Sequence, residues 1–190
     1  SDSLLPPEED IPSINLTVYC VTVAVLKRYV AALQPCEQGV FHITDMIGQM
    51  AEDGLRVTAV QAEDPREGKR IVDRADLAQA YAYVREQHCK RHMLCGVTIL
   101  DPAHTDIESD VEIGMDTVIY PGCLLQKGTR IGRDCVLLPN CRIAASVLED
   151  NVTVESSVLL SCRVASGASI GPFAHHEHEN LRKESRTRQD

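Results

Sequence analysis

The chain has 190 residues, 28 Asp and Glu against 19 Lys and Arg for a net charge of −9, and is 44% hydrophobic and 25% charged, the balance of a folded domain rather than a disordered chain. A net acidic chain without a basic stripe argues against a nucleic-acid binder, and no run nears the ~20 apolar residues of a membrane span. Five Tyr, two Phe and no Trp stand beside eight Cys, so the core must be built from aliphatic and small side chains.

Residues 1–13 form a flexible acidic start with neither the basic end nor the apolar stretch of a signal peptide, and a cytoplasmic location is expected. Residues 14–21 alternate towards β-branched and aromatic types and predict a strand. Leu26, Tyr29, Val30 and Leu33 recur at helical spacing over 23–33, a helix ended by Pro35. Thr44 is placed to cap a short helix through Ile47 and Met50 that stops at Gly54. A second strand is read over 55–62. Asp73 then opens a long helix over 73–95, with Leu77, Tyr81 and Val84 on one face and Gly96 as its stop. His88 and His92 stand one turn apart on it, beside Cys89. Without further acid or thiol ligands that pair reads as a solvated face rather than a zinc site.

From Ile107 a branched aliphatic returns every six residues: Ile107, Ile113, Ile119, Leu125, Ile131, Leu137 and Ile143. After nine residues the beat resumes at Val152, Val158, Val164 and Ile170, which predicts a three-residue insertion near Ser146, looped out or resetting the phase. Slim residues follow four positions behind each aliphatic: Val111, Thr117, Cys123, Thr129, Cys135 and Cys141, then Ser156, Cys162, Ala168 and Ala174. A hexapeptide period with intervening turn-formers is the signature of a parallel β-helix, in which each coil pairs with those above and below; it is placed over 96–175. Stacked aliphatics leave little room for rings, which accounts for the missing Trp. Cys123, Cys135, Cys141 and Cys162 fall on the slim beat as small hydrophobes. No CxxC pair occurs, so a reducing compartment fits. Residues 176–190 are polar and aperiodic and read as a disordered or capping tail, where His175, His176 and His178 would take up transition metals only adventitiously. Asn15-Leu16-Thr17 and Asn151-Val152-Thr153 fit the glycosylation acceptor pattern, which has no meaning without a secretory route.

Several stretches carry a family resemblance. Ile14-Asn15-Leu16-Thr17-Val18-Tyr19-Cys20 is similar to an INTGIYC strand, Gly39-Val40-Phe41-His42-Ile43-Thr44-Asp45 to GEYYLTD, and Ile71-Val72-Asp73-Arg74-Ala75-Asp76-Leu77-Ala78 to VNNRxQLA. The repeat region, ending in Gly171-Pro172-Phe173-Ala174-His175, resembles the early coils of the same proteins. These are the bifunctional N-acetylglucosamine-1-phosphate uridyltransferases/glucosamine-1-phosphate acetyltransferases, and the resemblance runs from about residue 14 to 175.

It implies the C-terminal part of a nucleotidyltransferase-like α/β domain over 14–72, a connecting helix over 73–95, a left-handed β-helix over 96–175 and a homotrimer built through that helix. The family makes UDP-N-acetylglucosamine for the cell envelope with Mg²⁺ and acetyl-CoA. Asn15 and Thr44 fall on its sugar-nucleotide contacts. The Gly-rich phosphate loop has no counterpart here, the Mg-holding Asn is replaced by Val72, which offers a hard cation no oxygen, and Thr17 replaces a Gly. The acetyltransferase residues lie beyond the GPFA motif and also lack counterparts. No catalytic residue, metal ligand or cofactor is therefore assigned to this chain, and a UDP-N-acetylglucosamine-type ligand is expected only where the missing half is supplied. Three readings follow: a partial copy of the enzyme, truncated at both ends and inactive alone; a non-catalytic oligomerisation or scaffold module; and another hexapeptide-repeat acyltransferase or lyase. The third is disfavoured because His104 is the single coil histidine before His175.

Overall fold

The structure is a computed structural model that describes residues 16, 18–33 and 41–182. Asn15, Thr17, the whole acidic start, residues 34–40 and residues 183–190 lie outside them. The chain divides into two compact units between Arg70 and Ile71.

In the first unit, α1 (Val23–Ala32) and α2 (Ile43–Glu52) share a small core of Tyr29, Met46 and Met50, backed by Val21, Val25 and Leu33. Of the four positions predicted to form the inner face of the first helix only Tyr29 is buried; Val30 is exposed. Gly54 ends α2 as expected: its φ of 77° suits a residue without a Cβ, and Leu55 N–H closes on the Met50 carbonyl at 2.9 Å. The described residues of 14–21 and 55–62 carry no strand, because none of the described segments lies alongside to take their backbone hydrogen bonds.

The second unit is a left-handed parallel β-helix with α3 (Arg74–Leu94) against its first coil. Asp73 caps α3, its carboxylate accepting from Asp76 N–H at 2.8 Å. The coils stack as three five-stranded parallel sheets. The first face runs through Ile99, Ile119, Leu137, Val154 and Ile170, the second through Ile107, Leu125, Ile143, Leu159 and His176, and the third through Ile113, Ile131, Leu148, Val164 and Leu181. Each aliphatic rests on its equivalent one coil away, and burying one such side chain is worth about 1.5–3 kcal/mol.

Two residues before each aliphatic is the slim slot. Thr117, Cys135 and Val152 occupy it on the first face, Cys123, Cys141 and Ser157 on the second, Thr129, Ser146 and Cys162 on the third. The hydroxyls there fasten corners: Thr117 Oγ1 donates to the Gly132 carbonyl at 2.9 Å and accepts from Cys135 N–H at 3.1 Å. Ser146 Oγ likewise donates to the Ala144 carbonyl and accepts from Cys162 N–H.

The beat after Ile143 differs from the expected one. There is no three-residue insertion. The inward aliphatics are Leu148, Val154, Leu159, Val164 and Ile170, while Val152 fills a slim slot and Val158 and Ser156 face outward. Four corners have each lost one residue and turn through left-handed backbone at Ala145, Ser156, Ser161 and His178, with φ of 48°, 41°, 54° and 55°. The coil also continues past 175: His175–Glu177 and Asn180–Leu181 pair with the strands beneath them, so the three histidines belong to the solenoid and not to a tail.

Candidate functional site

Thr44 is the second residue of α2, exposed, and the helix is capped by His42 without a side-chain hydrogen bond, so the expected Thr44 cap is not made. The charged cluster of that unit lies elsewhere. Tyr29 Oη donates to Asp53 at 2.6 Å, Arg28 approaches the same carboxylate at 3.5 Å, and its guanidinium lies 5.3 Å above the Tyr29 ring. The bond to Asp53 pushes the Tyr29 hydroxyl up from its ordinary value. These groups tie α1 to the end of α2. Val72 belongs to the other unit, 74% exposed just ahead of α3. Its hydrocarbon side chain cannot ligate Mg²⁺, so the metal does not fit this position. Among the described residues no three His, Cys, Asp or Glu side chains gather as a metal site.

Several polar contacts join α3 to the first coil. His88 Nδ1 lies 2.7 Å from the Ile107 carbonyl, Tyr81 Oη donates to Asp106 at 2.8 Å, and Arg91 donates to the Ser109 carbonyl at 2.9 Å. Cys89 is fully buried with its thiol towards the Thr105 carbonyl, and burial pushes that thiol up. The buried face of α3 is therefore Cys89 and His92, whereas Leu77, Tyr81 and Val84 are exposed. His88 and His92 are docking residues rather than half a metal site.

Burial, then the neighbouring Arg91 and His88 charges, hold the His92 imidazole below its ordinary 6.5. A histidine whose folded pKa is depressed contributes stability that is complete above the unfolded value and lost as pH falls through it. Acidification from about pH 6.5 to about pH 5 is expected to lower the melting temperature of the α3–coil unit. His92→Gln should flatten that dependence in a thermal melt series.

On the third face Arg130, Gly132, Val147, Glu149, Asp150 and Ser166 line an open groove. Its charges are already matched: Arg130 pairs with Glu112 at 3.3 Å, Arg163 with Glu149 at 3.6 Å, and Asp150 accepts from Arg133 N–H at 2.8 Å. A pair that the sequence did not reveal sits on the 3-10 turn between Ile99 and Ile107, where Asp101 and His104 meet at 2.7 Å. The bond to His104 holds the Asp101 carboxyl below its usual range. Asp101 also accepts from Ala103 N–H, which makes the pair a turn fastener; the Asp-Pro dipeptide was its only signal. Among the described residues no nucleophile, base and orienting group converge, as acyl or phosphoryl transfer would need.

Fold and repeat define the class, a hexapeptide-repeat left-handed β-helix preceded by helices. No family model matches the chain. Curated relatives do: it is 37% identical over 172 residues to the bifunctional protein GlmU of Trichlorobacter lovleyi, covering 90% of this chain and 37% of that protein. Identity to the GlmU of Brevibacillus brevis is 38% over 169 residues, covering 88% and 37%, and to that of Clostridium novyi 39% over 176 residues, covering 92% and 38%. Over about nine-tenths of its length the chain is similar to proteins named GlmU, and it spans a little over a third of the length of those relatives.

Proposed function

We propose that this chain is the central, trimer-forming segment of an amino-sugar nucleotidyltransferase/acetyltransferase of the cytoplasm, and that these residues alone run neither reaction. The observation that carries this reading is the five-coil stack closed by α3 together with an apolar, exposed Val72 where the resembled family holds Mg²⁺. Boundaries near 14–72 and 73–95 accompany it, with the solenoid running from 96 to Leu181, as do weak sugar-nucleotide contacts at Asn15 and Thr44 that would act only with the rest of the nucleotide domain. The same Val72 favours a second reading, a scaffold module that keeps the solenoid and has given up catalysis.

Incubation with UTP, Mg²⁺ and N-acetylglucosamine-1-phosphate, and separately with acetyl-CoA and glucosamine-1-phosphate, is expected to yield no product above background. Turnover in either assay would overturn the inactivity of the segment. Light scattering is expected to give the mass of three chains; a monodisperse monomer would refute the trimer.

A further inference from the structure

Cys123 and Cys141 occupy successive slim slots on one column of the second face. Leu124 N–H donates to the Cys141 carbonyl at 2.8 Å, and the following residues, Leu124 and Arg142, are register partners. Neighbouring parallel strands lie about 4.7–4.9 Å apart, inside the roughly 4.4–6.8 Å Cα separation that a disulfide spans. Both thiols also converge on one acceptor: Cys141 Sγ lies 3.0 Å and Cys123 Sγ 3.4 Å from the Leu138 carbonyl. No other pair of described cysteines is stacked in this way. Cys135 stands between Thr117 and Val152, and Cys162 over Ser146.

We infer that Cys123 and Cys141 are a peroxide-reactive dithiol that closes to a disulfide between adjacent coils. The Cys141 thiolate attacks the peroxide oxygen and the O–O bond breaks, leaving a sulfenic acid on Cys141 and hydroxide. The Cys123 sulfur then attacks the Cys141 sulfur, the S–O bond breaks, and that oxygen leaves as water with the proton of Cys123. Two thiols and one hydrogen peroxide become one disulfide and two waters, the two electrons passing from sulfur to the peroxide oxygens.

The division of labour follows from the pair itself. Hydrogen bonding from Cys123 pulls Cys141 down from the ordinary thiol value, while the same interaction and burial push Cys123 up, giving one nucleophile and one resolving thiol. Both side chains are buried, but each sits directly inside a turn, Pro121-Gly122 and Pro139-Asn140, where φ is 78° at Gly122 and 62° at Asn140. A hydroperoxide therefore reaches them through local opening of these corners, an opening that a bulky disulfide would need to be wider.

The test uses the full chain carrying Cys95→Ser and Cys135→Ser, since trypsin then leaves Cys123 alone in peptide 92–127 and Cys141 alone in 134–142. Native protein treated with hydrogen peroxide should yield these two peptides joined and two hydrogens lighter, about tenfold faster at about pH 8 than at about pH 6. Cys123→Ser should stop Cys141 at the sulfenic acid, captured by dimedone, and Cys141→Ser should leave Cys123 a free thiol. Serine already fills this slot at Ser146 and Ser157, and circular dichroism checks that each variant is folded. Free Cys123 and Cys141 in folded, peroxide-treated protein would overturn the inference, as would a link formed only after denaturation.

Discussion

Leu137→Ala is expected to cost about 3–5 kcal/mol and to open the middle coils before the ends. Leu137 is fully buried at the centre of the first-face column, with Ile119 beneath and Val154 above in register. A solenoid coil touches only its neighbours, so relaxation to fill the void has to come from those two coils. The coil beneath is pinned to that of Leu137 by Thr117 Oγ1, which bonds the Gly132 carbonyl and Cys135 N–H, and this limits how far the void can close. Urea unfolding followed by circular dichroism measures the loss. Amide exchange should rise first at Tyr120 and Leu138, whose N–H groups bond to the coil above at 2.9 and 2.8 Å. A cost below about 1 kcal/mol would mean that the column does not carry the stack.

Gly114→Ala is expected to destabilise by about 2–3 kcal/mol, although the change is one methyl group on the outside of the prism. A Cβ at Gly114 would stand 2.6 Å from the Gly132 carbonyl oxygen and 2.8 Å from Arg133 N. Both are backbone atoms of the next coil, so no side chain can swing away, and the third-face corner must separate to admit the methyl. The same substitution at Gly48, where nothing lies within 4 Å, lacks this penalty. Paired thermal melts of the two variants separate crowding from any general intolerance of alanine.

The solenoid was legible because a buried column repeats its chemistry each time the chain comes round. From Ile107 to Ile143 the period in the residues is the period in space. It slips after Ile143 for a physical reason: left-handed backbone is ordinarily marked by Gly or Asn, as at Gly122, Gly128 and Asn140, and the shortened corners use Ala145, Ser156, Ser161 and His178 instead. Val152 and Val158 then imitate a six-residue beat that Leu148 and Leu159 actually carry. Leu77, Tyr81 and Val84 form a regular apolar stripe on α3, but the buried contact falls to Cys89 and His92, because the C-terminal half of that helix packs on the first coil while Tyr81 reaches it through its hydroxyl alone. Candidate site residues were the least legible. Asn15, Thr44 and Val72 were placed by likeness of short motifs, which carries residue identity without the surroundings that give a side chain its chemistry. The stacking of Cys123 on Cys141, in contrast, is implicit in their eighteen-residue spacing, one full coil.

The corner shortening also governs how this molecule can change in size. Because every strand meets an equivalent strand one coil away, a whole coil of eighteen residues could be duplicated between Ile119 and Leu137 and each new group would find the partner its template has. A three-residue change would instead rotate every later aliphatic off its column. Single losses survive only at a corner where the backbone can turn left-handed. Length therefore accrues as a count of coils at constant cross-section.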